Sequence, residues 1–132
     1  MLDLNRWLIL SHGFNMDGRA ASQTITDKIP YLLKAGIELT VVSAKTGNKD
    51  STVKHYQLWP WGAAGFRFDF RHWFQRSFGR GWLYVVLTGL VSFLLLPFIF
   101  LEKFLVGLPG YWSWAMPAAL KTWWLVRSGK ID

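Results

Sequence analysis

The chain contains no cysteine, which excludes a disulfide framework and any thiolate metal site. Histidine is scarce, and His12, His55 and His72 have no ligand-like spacing, so no metal is expected. The sequence also lacks the G-x-G-x-x-G of dinucleotide folds, the Gly-Lys-Ser/Thr of a P-loop and the G-x-S-x-G of a nucleophile elbow. Nothing resembles a secretory leader: Asp3 stands where a basic region should be, and the apolar patch from Trp7 to Leu10 is too short. No internal repeat or low-complexity tract occurs. Acidic side chains are few, eight against fifteen basic, for a net charge of +7.

What is present is apolar and aromatic. Just over half of the 132 residues are hydrophobic, 17% are aromatic, and nine are Trp. That is rich for a soluble domain of this size and points to a membrane surface or a large interface. The charge is uneven: residues 1–56 carry +2 and residues 57–132 carry +5. The basic excess therefore travels with the apolar half, a combination that favours anionic lipid over nucleic acid.

Trp82 to Leu101 is twenty residues without a charge. As a helix it would be ~30 Å long, about the thickness of the hydrocarbon core of a bilayer. Trp82 and Tyr84 stand at its start, where a headgroup belt takes aromatics. The alternative is a buried core helix. A second apolar stretch, Phe104 to Leu120, is interrupted by Pro109, Gly110 and Pro117. Arg67, Arg71, Arg76 and Arg80 precede the first stretch, and Lys121, Arg127 and Lys130 follow the second. Both flanks are positive and both are expected on the cytoplasmic side. This favours a hairpin or re-entrant insertion within 82–120, turning back at Pro97 or at Glu102-Lys103, over a single span.

Residues 1–65 read as one unit. Arg6 to Ser11 is a short apolar run ending in turn formers, a buried strand. A glycine loop follows, Ser11-His-Gly-Phe-Asn-Met-Asp-Gly18. From Arg19 to Ala35, Ala21, Ile25, Ile29 and Leu32/Leu33 recur at helical spacing, with Pro30 expected to kink or shorten the helix. Ile37 to Ser43 is a second strand, β-branched and apolar. Strand, loop, helix and strand make a βαβ unit, hence a parallel sheet with a right-handed crossover. Lys45 to Lys54 is a polar loop, His55 to Trp61 a third strand closed by Pro60, and Gly62 to Gly65 a flexible joint.

In residues 66–81, Phe70, Phe74 and Phe78 share one helical face, while Arg67 pairs with Arg71 and Arg76 with Arg80. The stretch reads as a basic amphipathic helix in the headgroup plane, or as an ordinary helix with its Phe stripe on the sheet. Residues 121–132 begin as a helix with Trp123 and Trp124 at an interface. The expected membrane-facing set is Arg67, Arg71, Phe74, Arg76, Phe78, Arg80, Trp82, Trp123 and Trp124.

In a βαβ unit the turn after the first strand opens onto a helix N-terminus, where anions bind. Ser11, His12, Gly13, Asn15, Gly18 and Arg19 in that turn form the expected substrate or phosphate loop. Asn15 or Asp17 merely capping the helix is the plain alternative.

His12-Gly13-Phe14 after a strand is similar to the His-Gly oxyanion loop of α/β-hydrolases, without their nucleophile elbow. Met16-Asp-Gly-Arg19, and above all Leu32-Leu-Lys-Ala-Gly-Ile-Glu-Leu-Thr-Val-Val-Ser43, resemble the N-terminal domain of family 4-like GT-B glycosyltransferases over residues 6–44. Gly18 matches the second glycine of that group's loop, and Asp17 replaces the first. Gly129-Lys-Ile-Asp132 resembles the junction before the group's fourth strand. The resemblance implies an α/β fold: the incomplete Rossmann-like parallel sheet that opens such a domain, with membrane-associated helices added. It implies an acceptor-side portion of a transferase that moves sugar from a nucleotide-sugar donor to a lipid-linked or saccharide acceptor in polysaccharide or glycolipid biosynthesis. The enzyme would lie on the cytoplasmic face of the inner (plasma) membrane. The donor is a substrate, no cofactor is implied, and the donor-binding domain would be a separate or further part, so the chain alone is expected to be inactive. Catalytic residues are not identified by the resemblance. A non-catalytic membrane adaptor and an α/β-hydrolase fragment are the other classes considered.

Overall fold

The structure, a computed structural model, describes residues 5–16, 19–105, 107 and 112–131. Three parallel strands form the sheet in the order β1-β2-β3: Arg6–Ser11, Glu38–Ala44 and Lys54–Leu58. The central strand is Val/Leu-rich and buried from Leu39 to Ala44, as a parallel strand covered on both faces must be. Alternation along it divides the core. Leu39 and Val41 join Phe14 and Ile29 on one face, with Ile9, Ile25, Leu32 and Leu33 packed around them. Val42 meets Ala118, Leu125 and Ile131 on the other.

Helices α1 (Ala20–Thr26) and α2 (Ile29–Lys34) cover the first face. The stretch expected as one helix is thus broken ahead of Pro30, which sits in the first turn of α2, where its missing N–H costs nothing. Helix α5 (Trp112–Arg127) covers the second face through Pro117, Ala118 and Leu125. Part of the second apolar stretch is therefore sheet packing.

Helix α3 (Ala63–Phe78) lies across the carboxyl ends of the strands. His12 and Phe68 rings meet after β1, Arg76 donates to the Gly47 carbonyl after β2, and Trp59 after β3 stacks with Phe66 and Trp73. Gly47 is a glycine because a Cβ there would lie 1.8 Å from the Phe14 carbonyl oxygen.

Helix α4 (Trp82–Leu105) runs back antiparallel to α3. Its inner stripe, Tyr84, Leu87, Thr88, Val91, Ser92, Leu95, Ile99 and Glu102, follows steps of three and four. Arg67 Nε donates to Ser92 Oγ at 3.0 Å in mid-seam, and Phe74 meets Tyr84 near one end. At the other end the Glu102 carboxylate accepts from the backbone N–H groups of Ala63 and Ala64, capping α3. α4 continues through Pro97, which the sequence offered as a turning point. Pro97 is exposed, on the side of α4 turned away from α3.

His55 shows how the sheet is pinned. Its Nδ1 accepts the Asp50 N–H at 2.9 Å, so the proton sits on Nε2, 2.7 Å from Ser43 Oγ. Burial holds this imidazole, and that of His72, below the ordinary value near 6.5. The folded state therefore refuses a proton that the unfolded chain accepts below pH ~6.5. Stability should be full above that pH and fall as pH drops from 7.5 to 5.5. A urea midpoint measured at both pH values checks this, and His55→Asn should flatten the difference.

Candidate functional site

Parallel sheets bind ligands outside the carboxyl ends of their strands. Here that edge, roofed by α3 and the start of α5, encloses a cavity of about 700 Å³. His12, Arg19, Phe68, Asp69, Ser113 and Trp114 line it. His12 arrives there because it directly follows β1. Arg19 precedes α1 and holds its guanidinium 5.6 Å over the Phe68 ring. α1 is only seven residues long, so the positive character of the cavity comes from Arg19 rather than from a helix dipole.

Asp69 dominates the electrostatics. Its side chain is 0% exposed, and neither carboxylate oxygen has a hydrogen-bond partner among the described residues. His12 Nε2 is 3.2 Å from Oδ1, close enough for attraction but without the alignment of a hydrogen bond. The buried Trp114 Nε1 is likewise unpartnered, and the Trp114 ring meets His12 edge-on at 5.5 Å. Buried polar groups are ordinarily bonded. A carboxylate and an indole N–H, both buried and unpartnered in residues that line one cavity, suit a ligand carrying hydroxyl groups, with the Phe68 and Trp114 rings beside its apolar surface and Arg19 for an anion.

Of the residues expected in the loop, His12 and Arg19 line this cavity, and Ser11 ends β1 beside it. Asn15 instead ties two loops together: its Nδ2 donates to the Asn48 carbonyl at 3.2 Å, and the Asn48 N–H returns a bond to the Asn15 carbonyl at 3.0 Å. Gly13 lies against Met16, away from the cavity. Gly18 lies outside the described residues. Asp69, Ser113 and Trp114 escaped sequence reasoning. The one available signal was a lone acid in an otherwise Arg/Phe-rich helix.

The expected membrane-facing set divides in a similar way. Phe78, Trp82, Trp123 and Trp124 are exposed. Phe74 is instead buried between α3 and α4, Arg67 is turned into the helix seam, and Arg76 anchors α3 to the sheet. Trp123 carries Arg127 over its ring, and Trp124 carries Lys121 and Lys130. Arg71 and Arg80 line a smaller hollow on the α3–α4 seam.

Comparison with protein-family models, with characterised proteins and with solved structures yields no match.

Proposed function

We propose that this chain is the acceptor-side half of a membrane-seated glycosyltransferase, with the donor-binding half supplied by further sequence or by a separate chain. The route of α5 carries the proposal. The helix leaves the carboxyl end of β3, where the Trp61 N–H donates to the Ser113 carbonyl at 2.8 Å. It crosses the sheet and ends beside the start of β1, where Arg6 Nη1 donates to the Gly129 carbonyl at 3.3 Å. Among the described residues β1 pairs on one side only, with Trp7 and Leu10 half exposed on its two faces. A strand entering from Gly129 would lie parallel to β1 and give the order 3-2-1-4. That is the doubly wound arrangement whose ligand crevice falls at the switch point beside β1, where His12, Arg19 and Asp69 stand.

In this cavity the acceptor hydroxyl donates its hydrogen bond to Asp69, with His12 alongside. The hydroxyl oxygen bonds to the anomeric carbon of the donor as the bond from sugar to nucleotide diphosphate breaks, and the proton passes to the Asp69–His12 pair. The indole N–H of Trp114 orients a neighbouring hydroxyl.

Membrane seating rests on α4, the only helix among the described residues long and apolar enough to cross a bilayer. Its outer line, Trp82, Val86, Phe93, Phe100 and Phe104, is more than half exposed throughout, and Phe104 reaches 89%. α4 is tied along its length to α3, which carries Arg67, Asp69, Arg71, His72 and Arg76. Standing α4 upright would draw those groups into hydrocarbon at roughly 2.5–3.5 kcal/mol for each charge near the centre. An α4 lying flat in the acyl region of one leaflet, the cytoplasmic one, avoids that cost and holds the cavity over the headgroups.

Membranes from cells expressing the chain within its native gene neighbourhood, given radiolabelled nucleotide sugars, should put label into solvent-extractable lipid. Membranes carrying Asp69→Asn should not. Equal labelling by both, or turnover of a nucleotide sugar by the purified 132-residue chain, would contradict the proposal.

A further inference from the structure

A second hollow of about 210 Å³ opens on the seam between α3 and α4. It is lined by Phe68, Arg71, His72, Gln75, Arg80 and Tyr84. Phe68 also lines the larger cavity, so the two spaces adjoin across one ring. Neither Arg71 nor Arg80 is ion-paired among the described residues. The one acid of α3, Asp69, faces the larger cavity. With the Gln75 amide turned to suit its neighbours, its oxygen accepts from Arg80 Nε at 2.8 Å and Nη2 at 3.0 Å. That bond holds one guanidinium in place before any ligand arrives. Burial, and then the nearby Arg19, hold His72 below the ordinary imidazole range against the opposing pull of Asp69, with Arg71 adding to the lowering. The hollow is thus a concentration of fixed donors and positive potential with no acid in its wall. It opens at the amino end of α4, next to the exposed Trp82.

We infer that this hollow binds the phosphate of an amphiphile whose hydrocarbon chain lies along α4. Two guanidiniums match phosphate oxygens in a way that no phosphate-free headgroup does. The adjoining apolar helix takes the tail, and the path past Phe68 leads from the phosphate toward the cavity of Asp69 and His12. A phospholipid diester and an isoprenoid phosphate monoester share this chemistry. The inference rests on α4 as the lipid-facing helix and not on the transfer reaction.

Binding of the full chain to vesicles tests it, with three compositions: phosphate-free, uncharged digalactosyldiacylglycerol alone, the same with phosphatidylglycerol, and the same with farnesyl phosphate. The wild type should bind one or both phosphate-bearing vesicles at least tenfold more tightly than the neutral ones. A gain with phosphatidylglycerol alone identifies a diester headgroup, and a gain with farnesyl phosphate alone identifies a monoester terminus. Arg71→Gln/Arg80→Gln should lose the gain while binding neutral vesicles as the wild type does, which also shows that it is folded. Lys121→Gln/Lys130→Gln removes the same charge elsewhere and should keep most of the gain. Equal losses in the two double variants would mean diffuse attraction and overturn the site. An unchanged gain in the arginine variant would overturn it as well. Binding to neutral vesicles without any phosphate preference removes the hollow and leaves α4 as a lipid-facing helix. No binding to any vesicle removes both.

Discussion

Exchanging Phe93 and Phe100 for glutamate should release the protein from membranes. Both rings lie on the outer line of α4, 71% and 68% exposed, and neither belongs to a buried core cluster. Burying a Phe side chain is worth about 1.5–3 kcal/mol, so the pair contributes roughly 3–6 kcal/mol to membrane partition. At 1.4 kcal/mol per factor of ten, that is about a 10²- to 10⁴-fold fall in vesicle affinity. Flotation with liposomes measures it, and circular dichroism checks that the helices persist. The contrast lies one step around the helix. Leu95 and Ile99 belong to the stripe packed on α3, so glutamate there should unfold the protein rather than release it. If the Phe93/Phe100 variant floats with liposomes like the wild type, α4 is not the seat.

Asp69→Asn should make the protein more stable and, on the proposed reading, abolish sugar transfer. A fully buried carboxylate without a hydrogen bond costs several kcal/mol of desolvation, and among the described residues His12, at 3.2 Å, is the one ion-pair partner that offsets it. Asparagine keeps the shape and removes the charge, while its amide still wants partners. His12 is one-third exposed and tolerates the loss of its neighbour. The net gain should be about 1 kcal/mol, within the range seen when a strained functional group is neutralised. In the proposed transfer Asp69 receives the acceptor's proton, so its removal should lower that transfer by roughly 10²- to 10⁴-fold. A urea midpoint and the lipid-labelling assay, run on the same variant, read the two effects separately. If stability and activity fall together, Asp69 is a structural residue.

The parts of the fold legible in the sequence are those set by local pattern. β1 and β2 are short apolar runs bounded by turn formers, and their parallel pairing follows from the helical spacing between them. The break between α1 and α2 is visible at Pro30 for the same local reason. His12 and Arg19 were legible because a βαβ turn always faces the ligand edge. What was not legible depends on contacts far apart in the chain. Asp69 looks like one polar residue of an amphipathic helix until β1 and α5 close over it. Glu102 reads as the polar end of an apolar span, yet it caps a helix that begins nearly forty residues earlier. Apolarity alone does not separate a helix resting on a sheet from one in lipid. Hence α4, which turns a wide apolar surface outward, and α5, which sets Ala118 and Leu125 on the sheet, read alike in sequence.

The attitude of α4 is the point on which membrane seating and the position of the cavity both depend. The cysteine-free chain allows single spin labels at Val86, Phe93 and Phe100 without other changes. These outward positions are seven residues apart, ~10.5 Å of helix rise each. Depth in reconstituted vesicles, read from the ratio of oxygen to nickel-chelate accessibility, should be nearly the same at all three and confined to one leaflet. A graded profile, with Phe93 near the bilayer centre and Val86 and Phe100 on opposite sides of it, would contradict an α4 that lies flat.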